Sequence, residues 1–209
     1  MMEFNNRNKM IEYVYILSDY FIKLLLTNLL FCLFSIFIIT IPSAISGLYS
    51  NCNKIYKKED FSVISNFSSE SFSNFKMKIK VSCIAFIATI IFIYDLTYLA
   101  LIDEVLSVLG LTILLSILIF KNYFELTLFF QINKKYHSIK DLLRNSFKLI
   151  TWNVKLFSFT ILIDLLIIFI SLLSSNIRYL ILFLSVFVLI AIYGVVKTML
   201  FNKIIFKGD

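Results

Sequence analysis

Long apolar blocks alternate with short polar segments along the whole chain. Alternation with a period of two residues, which marks a membrane β-strand, does not occur in these blocks. Five of them approach or exceed the roughly 18 residues that an α-helix needs to cross a bilayer core. They cover residues 21–41, 81–102, 105–130, 156–173 and 179–196. The pattern predicts an all-α transmembrane bundle of about five spans, forming a single integral membrane domain over residues 1–209.

Composition excludes a soluble domain. Hydrophobic residues make up 60% of the chain, and charged residues only 16%. In soluble domains, about a quarter of the residues are charged, because a polar exterior must enclose the core. Too little polar sequence remains here to enclose five apolar segments, so the lipid bilayer is the predicted surrounding.

Lysine and arginine collect in alternate links between the blocks. The link that carries Asp103 and Glu104 contains no basic residue. Because cytoplasmic loops carry an excess of basic residues, the two long links and the C-terminal tail are predicted to be cytoplasmic. Five spans then place the N-terminus outside. The basic residues of these three segments are Lys54, Lys57, Lys58, Lys76, Lys78, Lys80, Lys134, Lys135, Lys140, Arg144, Lys148, Lys197, Lys203 and Lys207.

An amphipathic helix is predicted in "SIKDLLRNSFKLI", residues 138–150. Leucine, isoleucine and phenylalanine recur there at helical spacing, and charged residues occupy the opposite face. We expect this helix to lie along the cytoplasmic interface, with its apolar face in the acyl boundary and its lysines toward headgroups. Trp152 follows at the depth that an indole ring prefers. Residues 59–80 lead into the second block in a similar way.

Enzymatic and nucleic-acid functions find little support in the sequence. The net charge of +7 is explained by basic residues that flank the spans, so no nucleic-acid partner is predicted. Cys32, Cys52 and Cys83 show no paired spacing, and His137 is the only histidine. Neither a zinc-protease motif nor a glycine-rich phosphate loop occurs. We therefore predict no enzyme, no metal and no cofactor.

Three polar residues interrupt the apolar blocks. Counted at about 1.5 Å of rise per residue, Asn28, Asp95 and Asp164 all fall in the outer half of the bundle, in three different spans. No lysine is expected at that level, so at least one of the carboxyl groups is expected to be protonated. Two interpretations stay open: a hydrogen-bonded packing contact between helices, or a proton-linked or cation-binding site.

A second polar group is expected near the cytoplasmic end of the third block. Lys121 and Glu125 are four residues apart and can pair on one helix face. Asn122 is the next residue around the same helix. Lys197 of the last block should reach the same side of the membrane. The simplest interpretation is a snorkelling pair at the interface.

The stretch "NLLFCLFSIFIITIPSAISGLY", residues 28–49, resembles the first-span signature of the YesL-like bacterial membrane proteins (domain of unknown function 624). Phe31 stands where that family usually has tryptophan, and Ile41 stands where it has glycine. Residues 123–149 resemble the third-span exit of the family, with Glu125 in place of a common proline. Within the stretch, Pro42 should break the helix, and Gly47 with its small neighbours should allow close backbone approach.

The resemblance implies a cellular context but no mechanism. Members of that family have no established activity, and their genes commonly lie beside carbohydrate ABC transporters and sugar-responsive regulators. An accessory component of a transport or sensing system is therefore expected, with ABC transporter subunits or a membrane sensor as partners. The alternative is a small homo-oligomeric transporter or channel that uses Asn28, Asp95 and Asp164.

Overall fold

The computed structural model describes residues 2–37, 40–99, 106–133 and 138–206, and every regular element in these ranges is a helix. The predicted all-α class is therefore confirmed. The elements are α1 (Met2–Phe34), α2 (Ile41–Tyr56), α3 (Val63–Phe72), α4 (Phe75–Leu99), α5 (Leu106–Asn133), α6 (Ile139–Trp152), α7 (Val154–Leu173), α8 (Ser175–Leu184), a π-helical segment (Ser185–Leu189) and α9 (Ile190–Phe206). The last three follow one another without a break.

Within the described residues, two stretches are long and apolar enough to cross a membrane, Val14–Phe34 and Ser175–Ile205. The pair α6 and α7, bent by 95° at Asn153, adds a third if it is counted as one broken span. The described residues thus support two or three spans rather than the predicted five. The predicted spans 81–102 and 105–130 correspond to α4 and α5, and their link at 100–105 lies outside the described residues.

The C-terminal half of α5 is more polar than its first half. The helix carries Lys121 and Glu125 within its C-terminal half, and Glu125 is buried between helices. These two groups need polar partners, which lipid would not provide.

The first predicted span has the wrong boundary. It was expected over residues 21–41, whereas α1 ends at Phe34 and a separate helix, α2, begins at Ile41. Pro42 lies in the first turn of α2, where its missing N–H costs no intrahelical hydrogen bond. Pro42 therefore starts a helix here. Most residues of α2 are buried, so this polar-looking stretch forms part of the interior.

Small residues allow α2 to pack closely on both sides. A Cβ atom added at Gly47 would lie 2.5 Å from Ser71 Oγ of α3. One added at Gly194 of α9 would lie 2.8 Å from Cys52 Sγ of α2. Such distances leave no room for a methyl group, so both glycines are required by close helix approach.

The main apolar core lies at one end of the helical bundle. It joins the first residues of α4 and α7 to the last turns of α5 and α9, with α2 and α6 packed against them. Its buried residues are Tyr49, Val81, Leu126, Leu128, Phe129, Leu142, Phe157, Phe201, Ile204 and Ile205. Consecutive long helices thus alternate in direction and return their lysine-bearing ends to one end of the bundle.

The predicted amphipathic helix at 138–150 is present as α6, but its apolar face is used differently. Leu142 is fully buried in the main core, and Ser146 beside it is also buried. The Tyr123 hydroxyl of α5 donates a hydrogen bond to the Leu143 carbonyl at 2.8 Å. The expectation that this face lies in the acyl boundary is therefore wrong for Leu142, which packs on the protein itself.

Candidate functional site

A cluster of charged side chains lies between four helices, and we call it the ionic cluster. Two ammonium groups and two carboxylates form it, together with an amide and two phenols. Its members are Lys121, Asn122 and Glu125 of α5, Asp164 of α7, Tyr193 and Lys197 of α9, and Tyr49 of α2. Helical spacing positions them, because residues three or four apart share one helix face.

Lys197 occupies the centre of the cluster, and none of its side chain is exposed. Its Nζ lies 2.6 Å from Glu125 Oε2 and 3.4 Å from each carboxylate oxygen of Asp164. It also donates a hydrogen bond to Asn122 Oδ1 at 2.6 Å. A buried ammonium is tolerated only with such compensation, since removing the charge from water costs several kcal/mol.

Lys121 lies at the edge of the cluster, with 45% of its side chain exposed. Its Nζ lies 3.1 Å from Asp164 Oδ2 and 3.5 Å from Glu125 Oε1. It also donates a hydrogen bond to the Tyr193 hydroxyl at 3.1 Å. Both carboxylates of the cluster therefore contact both lysines, and the cluster carries no net charge.

Neutral groups complete the coordination of the carboxylates. Asn122 Nδ2 donates to Asp164 Oδ2 at 2.8 Å, and the Tyr193 hydroxyl donates to Asp164 Oδ1. The Tyr49 hydroxyl donates to Glu125 Oε2 at 2.8 Å. Glu125 Oε2 therefore accepts hydrogen bonds from a phenol as well as from Lys197.

The expectation that Asp164 has no cation at its level is wrong. Lys121 was assigned to a different depth by counting residues along the backbone, but its long side chain extends back toward Asp164. The Lys121–Glu125 contact expected from the four-residue spacing is present, as part of this larger cluster. Asp95 lies on α4, but its side chain lies outside the described residues.

Asn28 does not share hydrogen bonds with Asp164. Its Nδ2 donates to the carbonyls of Ser185 and Val186, both at 2.7 Å, and its Oδ1 accepts from the Ala191 amide at 2.9 Å. A π-helical turn shifts the backbone pairing by one residue and leaves groups at its ends without helical partners. The carboxamide of Asn28 supplies both the donor and the acceptor that this turn requires.

Two cluster members were missed from the sequence. Tyr193 is four residues before Lys197, the same spacing that revealed Lys121 and Glu125, so this signal was available. Tyr49 could not be found in that way, because it comes from α2, a helix that composition did not predict. Within the described part of the chain, no three metal-ligating side chains come together.

The fold and the cluster define a class: a protein whose described part is all-helical, with two or three helices able to cross a membrane and a buried, charge-balanced group between its helices. Such helices indicate a membrane location and contact with lipid. Comparisons of the chain with models of protein families, with curated proteins and with solved structures find no match.

Proposed function

We propose that this protein is a non-enzymatic component of a bacterial transport or sensing system, and that it acts by association within the membrane. The observation that carries the proposal is the saturation of the ionic cluster. Each of its four charged groups has at least two partners within the protein. Groups held in this way suit a rigid scaffold, because using one of them in chemistry would break several contacts.

The carbohydrate context rests on the resemblance to the YesL-like proteins. That resemblance favours ABC transporter subunits or a membrane sensor as the partner. A scaffold that presents a fixed surface to such a subunit requires neither a cofactor nor a catalytic group. The ionic cluster would keep α2, α5, α7 and α9 in register so that this surface is preformed.

We propose that the basic ends of the helices face the cytoplasm. The main core joins the starts of α4 and α7 to the ends of α5 and α9; lysines lie in three of these ends, and Lys134 and Lys135 follow α5 in the sequence. A shared basic end is what the positive-inside rule requires of a cytoplasmic face. This supports the predicted cytoplasmic location of the two long links and of the tail.

The N-terminus is proposed to be cytoplasmic as well, in place of the outside location first predicted. Lys23 Nζ of α1 lies 2.7 Å from Asp19 and 3.5 Å from Asp60, which belongs to the basic link after α2. The link containing Lys57 and Lys58 therefore contacts the N-terminal part of the span Val14–Phe34. Because α2 returns the chain after α1, both ends of this helical hairpin belong on one side.

Two experiments test these proposals. Fluorescent-protein fusions at either terminus should both be fluorescent, since the green fluorescent protein matures in the cytoplasm; a dark N-terminal fusion would contradict the N-terminal assignment. Affinity purification in mild detergent, followed by mass spectrometry, should recover transporter or sensor subunits at near-stoichiometric amounts. Recovery of this chain alone, as a homo-oligomer, would contradict the accessory role.

A small transporter or channel is the second candidate. The observation that favours it is the partial exposure of Lys121, which leaves one edge of the ionic cluster reachable from outside the bundle. Ionisable groups inside membrane proteins often mark ion pathways. In proteoliposomes with an imposed proton gradient, this candidate expects proton flux that Asp164→Asn abolishes in a folded protein. Absence of flux in the wild-type protein would exclude a proton-coupled role.

A further inference from the structure

We propose that the exposed face of α6 is a binding surface for anionic phospholipid headgroups. This goes beyond a role in association, and it rests on the proposed cytoplasmic location of the basic helix ends. The surface is formed by three basic side chains and two aromatic side chains of one helix. We call it the α6 stripe, and it consists of Lys140, Arg144, Phe147, Lys148 and Trp152.

The bend between α6 and α7 orients the stripe. The two helices meet at 95° at Asn153. If α7 runs across the bilayer, α6 runs along its surface. The side chain of Asn153 fixes this corner, because its Nδ2 donates to the carbonyls of Leu149 at 3.3 Å and Ile204 at 3.2 Å. The last turn of α9 thus holds α6 in position.

Burial selects which face of α6 remains available. Leu142 and Ser146 face the protein and are buried. Lys140, Arg144 and Lys148 follow at intervals of four residues, so they form a line along the helix, and all three are exposed. Asp141 is the only acidic residue of α6. The available face is therefore strongly basic.

Aromatic residues flank this basic line. Phe147 and Trp152 are 62% and 60% exposed, so neither ring is covered by the rest of the protein. Lys148 Nζ lies 4.5 Å from the centre of the Trp152 ring, so the indole and the ammonium group occupy the same level. Indole rings prefer the headgroup region, and lysines beside them attract anionic lipid. Exposed rings also suit a protein interface, so the choice of lipid rests on the 95° bend, which lays α6 along the bilayer surface when α7 crosses it.

The only tryptophan of the chain lies in this surface, so its fluorescence reports on the stripe alone. The full-length protein is reconstituted in phosphatidylcholine vesicles that contain an equal minor share of either brominated phosphatidylglycerol or brominated phosphatidylcholine. Bromine quenches a nearby indole. Since each basic residue favours an anionic lipid by about five-fold at the surface, we expect roughly two- to five-fold stronger quenching by the brominated phosphatidylglycerol. High salt should reduce this difference.

Two triple variants provide the control. Lys140→Gln, Arg144→Gln and Lys148→Gln together should make the two brominated lipids quench equally. Lys54→Gln, Lys57→Gln and Lys58→Gln remove the same charge from another segment and should leave the difference intact. Equal quenching of the wild-type protein by both lipids would overturn the lipid proposal. An acidic protein would then be the inferred partner of the α6 stripe. No quenching by either lipid would overturn the interfacial position of α6 itself, and with it the proposed topology.

Discussion

Two regions of the bundle bury polar side chains, and they satisfy them in opposite ways. Around Asn28, one neutral carboxamide serves the backbone of another helix, at the carbonyls of Ser185 and Val186 and the amide of Ala191. In the ionic cluster, charged side chains satisfy one another, with Lys197 and Glu125 at 2.6 Å. The first contact repairs an irregular backbone, and the second balances charge.

The difference predicts different responses to mutation. Each charged residue of the cluster depends on an opposite charge, so loss of one is compensated by loss of its partner. The backbone groups near Asn28 cannot be removed by substituting a side chain. The stability lost when Asn28 is replaced should therefore be recovered only by a change of the backbone itself.

The largest effect is expected for Lys197→Met. The substitution leaves Glu125 and Asp164 buried with only Lys121 to balance two carboxylates. Removal of one member of a buried ion pair typically costs about 3–5 kcal/mol. The measurement is the free energy of unfolding in mixed detergent micelles, with wild-type protein as the reference.

The double variant Lys197→Met, Glu125→Leu tests compensation directly. It removes one positive and one negative charge, and Lys121 and Asp164 remain as a balanced pair. We expect the double variant to recover at least about half of the lost stability, because apolar groups often replace a buried ion pair at little cost. Losses that simply add would contradict mutual compensation and would remove the contrast with Asn28.

Asn28→Ala is expected to cost less, about 1–3 kcal/mol. It leaves two carbonyls and one amide of the π-helical junction without their side-chain partner. Leu29→Ala on the more exposed side of α1 is the control for the general effect of truncation. The measurement is again the unfolding free energy in micelles.

A backbone deletion should rescue Asn28→Ala where no side-chain substitution does. Removing Phe187 from the π-helical segment would restore α-helical pairing and satisfy the orphaned groups within the helix. The deletion rotates α8, which is tolerable because α8 has no buried residues. A deletion variant that is further destabilised in the Asn28→Ala background would show that Asn28 has another role.

Tyr49→Phe should produce a smaller loss, about 1 kcal/mol. The change removes the hydroxyl that donates to Glu125 but keeps the ring, which packs against Phe129 and Phe201. In the background Lys197→Met, Glu125→Leu, the acceptor is already absent, so the same change should be nearly silent. An equal loss in both backgrounds would mean that the Tyr49 hydroxyl acts through a partner other than Glu125, and would remove Tyr49 from the ionic cluster.

Periodicity alone was enough to predict the all-α class and the amphipathic α6, because both depend on local spacing. It could not predict α2, whose serines and asparagines look like a loop in water but find partners inside the protein; Asn51, for example, donates to Thr27 at 3.2 Å. Depth counting separated Lys121 from Asp164, since it follows the backbone and ignores the reach of a lysine. The role of Asn28 depends on a π-helical turn, which has no pattern of its own in the sequence.

Lys121→Gln should have the smallest effect, about 0.5–1 kcal/mol, although Lys121 contacts the same carboxylates as Lys197. The reason is exposure: 45% of the side chain of Lys121 is exposed and can extend toward the polar interface, whereas none of the Lys197 side chain is exposed. Added salt should narrow the loss further, because only an exposed charge is screened. If Lys121→Gln destabilised the protein as much as Lys197→Met, both lysines would be closed off from solvent, and the transport alternative would lose the reachable edge on which it depends.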